Sequence, residues 1–158
     1  MTEDARFEDG AERALRLLAE DAEDLQIVAA LVQDAVLPGE EMSFDKSKRR
    51  FACLINRFRW EGQAMSDRLG RAPERVRSVL AIDDVLAVRS QGLGELKDVV
   101  LSLLTLSFDP GEDGTGRIVL TFAGDGAIAI DVETVNLTLQ DVTQPYQAPS
   151  KKTPSHPG

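Results

Sequence analysis

Histidine is all but missing from this chain: of its 158 residues only His156 is one, third from the end. The rest of the chain therefore has no imidazole, which excludes Ser-His-Asp and Cys-His nucleophile activation and histidine ligation of zinc. Cysteine is nearly as scarce. Cys53 stands alone, so there is no internal disulfide and no thiolate cluster, and nothing calls for an oxidising compartment. No apolar run approaches the roughly 20 residues that span a bilayer, and the first dozen residues are acidic where a signal peptide would be basic and then apolar. Walker and dinucleotide-binding patterns are absent as well. What remains for chemistry is carboxylates, arginines, lysines and hydroxyls, with no convergent set among them. The expectation is a cytoplasmic, non-catalytic protein without membrane, cofactor or metal.

What is present is ordinary for a globular chain: 42% hydrophobic and 28% charged residues, with a formal charge of -9. That charge opposes nucleic acid as a partner. Residues 1–13 are acidic and, Phe7 apart, carry no large apolar side chain; residues 143–158 hold four prolines among polar residues. Both read as disordered ends, which leaves 14–142 as a single domain.

Within that span, residues 15–19 read as a short first strand. Asp21 stands where a helix N-cap belongs, with Glu23 and Asp24 in the first turn. Leu25, Val28, Leu31, Val32 and Ala35 recur at helical spacing, so an amphipathic helix is expected from 22 to about 37, where Pro38-Gly39 stops it. Residues 42–44 and 50–60 read as a hairpin around a polar turn. Phe51, Cys53 and Ile55 share one face of its second strand, and Leu54, Phe58 and Trp60 the other. Residues 61–74 are a polar connection. Residues 76–90 read as a bent strand, or as two strands joined at Asp83-Asp84. Residues 99–108 and 117–122 flank the loop 109–116, Gly124-Asp125-Gly126 makes a hairpin turn, and 127–142 reads as one last strand with a bulge near Glu133-Thr134, where the apolar parity switches. The fold class expected is α+β: one N-terminal amphipathic helix packed on a strongly bent antiparallel sheet of six or seven strands, a roll or partly closed barrel.

The stretch Leu54-Ile55-Asn56-Arg57-Phe58-Arg59-Trp60-Glu61 resembles a family motif. The runs Val85-Leu86-Ala87-Val88-Arg89-Ser90, Phe108-Asp109-Pro110-Gly111-Glu112-Asp113 and Leu120-Thr121-Phe122-Ala123-Gly124, the last followed by Ala127-Ile128, extend it in order. Together they resemble DUF2948, a domain-of-unknown-function family of alphaproteobacteria. The resemblance implies a bacterial, cytosolic, single-domain protein, and no activity comes with it.

Charge is segregated along the chain. Residues 1–24 hold nine acids and three arginines, 45–77 hold ten bases and four acids, and 98–141 hold eight acids against Arg117 alone. Arg57 and Arg59 share a strand face, as do Arg75 and Arg77. If those strands pair, four guanidiniums could gather beside Phe58 and Trp60. Like charges so close need neutralising. The neutraliser is either the protein's own carboxylates, which requires no function, or an external carboxylate or phosphate gripped bidentately. The second reading makes Arg57, Arg59, Arg75, Arg77 and Arg89, with Trp60 as apolar anchor, a binding site for an acidic protein segment or small anion. The alternative is a small apolar ligand held in a pocket between helix and sheet. Single-stranded nucleic acid fits the interleaved arginines and aromatics but not the overall charge. The loop 109–116 lacks the ligand spacing of a calcium loop. Cys53, between Phe51 and Ile55, reads as buried and inert, and Asn56 as a residue needing buried hydrogen-bond partners.

Overall fold

The computed structural model describes residues 14–62, 68–70 and 74–143, and the backbone of 146–147. The acidic start 1–13, the end of the proline-rich tail and much of the connection 61–74 lie outside the described residues. Strand β1 (Arg16–Ala19) is followed by helix α1 (Ala22–Val32). Asp21 caps the helix from extended backbone, its carboxylate accepting the Asp24 N–H at 2.8 Å. The helix stops five residues short of expectation. Asp34 turns the chain at φ 65°, and the Asp34 N–H donates to the Leu103 carbonyl at 2.9 Å. Ala35 keeps the apolar spacing and is buried, but Leu37, the expected end of the helix, lies in a strand, β2 (Val36–Pro38), opposite Leu101. A tertiary ladder thus outcompetes the local periodicity.

A 3₁₀ turn (Gly39–Glu41) leads into β3 (Met42–Asp45) and β4 (Arg50–Phe58), the expected hairpin. Its turn is held by Asp45, whose Oδ1 accepts from the Ser47 hydroxyl at 2.7 Å and from the backbone of Ser47 and Lys48. β5 (Glu74–Ile82), β6 (Val85–Gln91), β7 (Val100–Pro110), β8 (Gly116–Phe122), β9 (Ala127–Val132), β10 (Leu137–Asp141) and β11 (Tyr146–Gln147) complete the described chain. The sheet therefore has 11 strands, in the order β1-β10-β5-β4-β2-β7-β8-β9-β6, with β3 on β4 and β11 on β5. Every pairing is antiparallel. The strand count exceeds the expected six or seven, and the path ends at β1 and β6 without closing.

Two expected elements are each divided. Residues 76–90 are two strands joined at Asp83-Asp84, with Asp84 at φ 59°. Residues 127–142 are also two: β9 pairs with β6 and β8, whereas β10 pairs with β1 and β5. The parity switch at Glu133-Thr134 is thus a crossing between half-sheets and not a bulge within one strand. The crossings at 83–84 and 133–136 run together: Asp83 N–H donates to Asn136 O at 2.8 Å and Glu133 N–H to Asp84 O at 2.9 Å. β7 supplies the third link, pairing with β2 through Leu101 and Ser102 and with β8 beyond an irregularity between Leu103 and Thr105. Folded over in this way, the halves bury one continuous core that includes Ile55, Leu80, Ile82, Leu103, Ile118, Phe122, Ile130 and Leu137, with Leu25, Val28 and Val32 of α1 packed into it.

Candidate functional site

Side chains alternate across a strand, so the faces of β4 follow from residue number. Phe51, Cys53 and Ile55 are buried on the inner face. Arg57 continues that parity, and Arg59 follows just past the strand end. Both are buried too, Arg57 completely and Arg59 at 4% exposure. The inner face of β5 is formed by Val76, Ser78, Leu80 and Ile82. Arg57 lies opposite Val76, and Arg77 opposite Asn56. Arg57 and Arg77 thus point to opposite sides of the sheet, and the four-guanidinium cluster does not form.

Arg57 is clasped by its own molecule. It meets Glu61 through two hydrogen bonds of 2.9 and 2.8 Å and buried Asp141 at 3.0 Å, and it donates from Nε to Ser78 Oγ at 3.1 Å. Ser78 Oγ donates to Asp141 Oδ1 at 2.6 Å, and the Leu15 N–H donates to Asp141 Oδ2 at 2.8 Å. Arg59 pairs with Glu74, while its Nε, 3.8 Å from Glu61, makes no hydrogen bond. The network ties β1, β4, β5, β10 and the 3₁₀ turn Trp60–Gly62 together. Its role in the structure is a buried polar lock.

Burial by itself would raise the Glu61 carboxyl pKa. The hydrogen bonds and charge of Arg57, helped by Arg59, outweigh it and hold the group below its ordinary 4.5. A carboxyl depressed by folding stabilises the native state above its unfolded pKa and loses that contribution as pH falls through the folded value. The melting temperature of the natural chain should therefore exceed that of Glu61→Gln at pH 7, with the gap closing as pH falls below about 4.5. A gap that is independent of pH from 7 to 3 would show that Glu61 stabilises only as a hydrogen-bond acceptor.

The outer face is different in kind. Phe58 lies between Trp60, at 5.4 Å between ring centroids, and Arg75, whose guanidinium carbon stands 4.1 Å over the Phe58 ring. Arg75 also donates to the carbonyl and side-chain oxygens of Asn56, at 3.2 and 3.1 Å. Trp60, 37% exposed, donates from Nε1 to the Gln33 carbonyl at 3.2 Å. Asn56 is thus a support for Arg75 on the outer surface and not a buried polar residue. Arg77 is exposed, and no ion pair or side-chain hydrogen bond holds it among the described residues.

Beside Arg77 the outer face is cleft. β3 pairs with β4 as far as Cys53, and β2 pairs with it only at Val36↔Asn56. Between them β4 has no neighbour on that side, and the 3₁₀ turn carries the chain across the gap. A groove of about 350 Å³ opens there, lined by Val36, Pro38, Leu54, Val100, Arg77 and Glu41, among others. Glu41, like Arg77, has no ion-pair partner among the described residues. Val100, 69% exposed, is the most exposed large apolar side chain described.

Arg89 belongs elsewhere. On β6 it pairs with Asp131, which also takes Arg117, at 2.6 and 2.7 Å. These cross-strand pairs, chiefly the Arg117 hydrogen bond, lower the Asp131 pKa. Between helix and sheet, residues of α1 and β7 border a recess of about 260 Å³ lined by Ala22, Leu25, Gln26, Leu106, Ser107 and Phe108; deeper in, the core fills that interface. The loop 109–116 is a hairpin connection, with Gly111 N–H bonded to Thr115 O at 2.7 Å. Among the described residues no group of three or more His, Cys, Asp or Glu is placed to hold a metal, and no helix is long and apolar enough to cross a membrane. Cys53 is buried, which pushes its thiol up to about 12.

Of the six residues expected to form the site, Trp60, Arg75 and Arg77 share the outer face; Arg57 and Arg59 lie beneath it and Arg89 lies on the other half-sheet. The burial of Arg57 was readable, since it shares parity with Phe51, Cys53 and Ile55. Val36, Glu41 and Val100 were missed because only the topology brings their strands and turn to β4. A family model described as a protein of unknown function (DUF2948) matches residues 15–156. No curated protein and no solved structure matches the chain.

Proposed function

We propose that this chain, which belongs to the DUF2948 family, is a non-catalytic binding module that takes an acidic partner segment with an apolar side chain on the outer face of its first half-sheet. The reading is carried by one observation: an exposed Arg77, with no ion-pair partner among the described residues, at the rim of an apolar groove beside the Trp60-Phe58-Arg75 stack. An exposed arginine is a selective hold for a carboxylate. The groove and the aromatic pair supply the apolar anchor on which binding energy concentrates. Arg57 and Arg59 act from below, fixing the end of β4 and the turn that presents Trp60.

The second reading, an apolar ligand between α1 and the sheet, has less to support it, because the interior of that interface is filled by Leu25, Val28 and Val32. A direct test is an amide NMR titration with a blocked peptide carrying one phenylalanine between glutamates. Saturable shifts are expected at Val36, Leu54, Arg77 and Val100. Arg77→Glu should weaken binding at least tenfold, because a hydrogen bond to a charged group contributes about 1.5–3 kcal/mol and the variant repels the ligand. Shifts that fail to appear, or that survive Arg77→Glu unchanged, would remove the proposal.

A further inference from the structure

β7 changes neighbours part-way along its length. Its first residues pair with β2, and the bonds that Leu103 exchanges with Asp34 and Ala35 end that ladder. From Thr105 to Pro110 it pairs with β8 alone. On the other side, where a further strand would lie, α1 leaves a recess of about 260 Å³, lined by Ala22, Leu25 and Gln26 of the helix and by Leu106, Ser107 and Phe108 of the strand. The phase of the ladder fixes what β7 offers to that side, because antiparallel pairs alternate between those that exchange hydrogen bonds and those that do not. The bond from Gly111 N–H to Thr115 O closes the β7-β8 hairpin. Counting back from it, Asp109, Ser107 and Thr105 bond to β8, while Leu106 and Phe108 turn their N–H and C=O groups away from it. The bond from Phe122 N–H to Gly126 O, which closes the β8-β9 hairpin, gives the same phase from the far side of β8. Among the described residues nothing bonds to these outward groups.

We propose that an extended, basic segment of a partner protein adds to β7 as a further strand, between Thr105 and Pro110 and alongside α1. Strand addition takes its affinity from main-chain bonds and its selectivity from alternate side chains, and β7 specifies both. Leu106 and Phe108 supply the main-chain groups. Their side chains belong to the inner face, Leu106 buried in the core and Phe108 packed against it. Residues of the added strand opposite them point the same way, into the recess against Ala22 and Leu25, and are small and apolar. Residues opposite Ser107 and Asp109, which are exposed, point outward and are polar. Charge selects among the polar ones. α1 carries Glu23 and Asp24 and no base, and β7 carries Asp109 and no base. The partial positive charge at the start of the helix is already met by the Asp21 cap and these first-turn acids, so the rim attracts a cation. The occupant therefore alternates aliphatic with polar residues and has lysine or arginine at its ends. Edge strands that are closed to pairing carry lysine or proline; β7 has no lysine, and its one proline, Pro110, comes last. The site includes neither Arg77 nor its groove and takes a segment of the opposite charge, so it stands whether or not that groove binds.

The probe is a short end-blocked peptide of alternating valine and threonine with a lysine at each end, titrated into the isotope-labelled full chain. Saturable amide shifts are expected at Gln26, Leu106 and Phe108. At saturation the Leu106 and Phe108 N–H groups should exchange with solvent at least about tenfold more slowly, while those of Thr105, Ser107 and Asp109, already held by β8, change little. N-methylating either all the valines or all the threonines removes the donors along one edge of the peptide. One of these two peptides should lose binding altogether and the other keep it. Glu23→Lys should weaken binding roughly twofold to fivefold, the range of an exposed ion pair, and Arg77→Glu should leave it unchanged. Absence of saturable shifts, unaltered exchange at Leu106 and Phe108, or equal binding of the two N-methylated peptides would overturn the proposal. So would binding that is lost in Arg77→Glu, which would put the peptide in the other groove. If the same two amides become protected on raising the protein concentration with no peptide present, the occupant is a second copy joined β7 to β7, and the assignment to a partner segment falls.

Discussion

Asp141→Ala should destabilise the fold by roughly 3–5 kcal/mol, the loss typical when one partner of a buried ion pair is removed and the other charge remains. The size follows from what Asp141 holds. It is buried, it accepts from Arg57, from Ser78 and from the Leu15 N–H, and it faces an Arg57 side chain with no exposure at all. Without it, Arg57 keeps only Glu61 as a carboxylate, and β1 loses a bond that anchors its first residues to β10. Denaturant titration followed by far-UV circular dichroism measures the effect as a lower midpoint at unchanged slope. A companion variant separates the lost attraction from the stranded charge. Arg57→Met with Asp141→Leu replaces the pair by apolar side chains, and such exchanges are often neutral or stabilising. It should therefore be more stable than Asp141→Ala. If the double variant is the weaker of the two, the network stabilises by its hydrogen bonds to Ser78 and Leu15 and not by charge compensation.

Phe122→Ala should cost about 3–5 kcal/mol, as expected for a large aromatic side chain removed from a packed core. Phe122 is 1% exposed and faces Leu103 across the ladder. Leu103 stands where β7 passes from one half-sheet to the other. The position therefore reports on whether the halves unfold together. Trp60, the only tryptophan, senses the first half-sheet, while circular dichroism senses both. The two signals should shift to the same lower midpoint in Phe122→Ala, the mark of a two-state transition. A Trp60 transition that stayed at its original midpoint would mean that the halves are separate cooperative units and that the continuous core does not couple them.

Much of this architecture was legible wherever local chemistry decides it. Asp21 could be read as a cap because a carboxylate before an apolar-periodic run has few better uses. The β3-β4 hairpin could be read because Asp45 and its neighbours make a turn with their own side chains. Legibility failed where strands from distant parts of the chain decide. Ala35 keeps helical spacing, yet its carbonyl is claimed by the Leu103 N–H, and the helix yields. The parity switch at Glu133-Thr134 was visible, but parity alone cannot separate a bulge from a passage into another half-sheet. The arginines illustrate both outcomes. Alternation along β4 places Arg57 inward with Ile55, a signal present in the residues themselves. The register Asn56↔Arg77, which separates the two arginine pairs, depends on how β4 and β5 align. The groove is the least legible feature, because it exists only where β3 ends and β2 has barely begun to pair.

The ladder between the first strand and the tenth also bears on how the protein is made. Leu15 and Asp141 are hydrogen-bonded across 126 positions of sequence. At a translation rate of about 5–20 residues per second, the opening strand leaves the ribosome many seconds before its mate is synthesised. Contacts of such high order slow the search for the native state. The nascent chain must therefore carry β1 without its ladder partner until β10 has been synthesised, with the backbone groups of that strand unpaired for the whole interval.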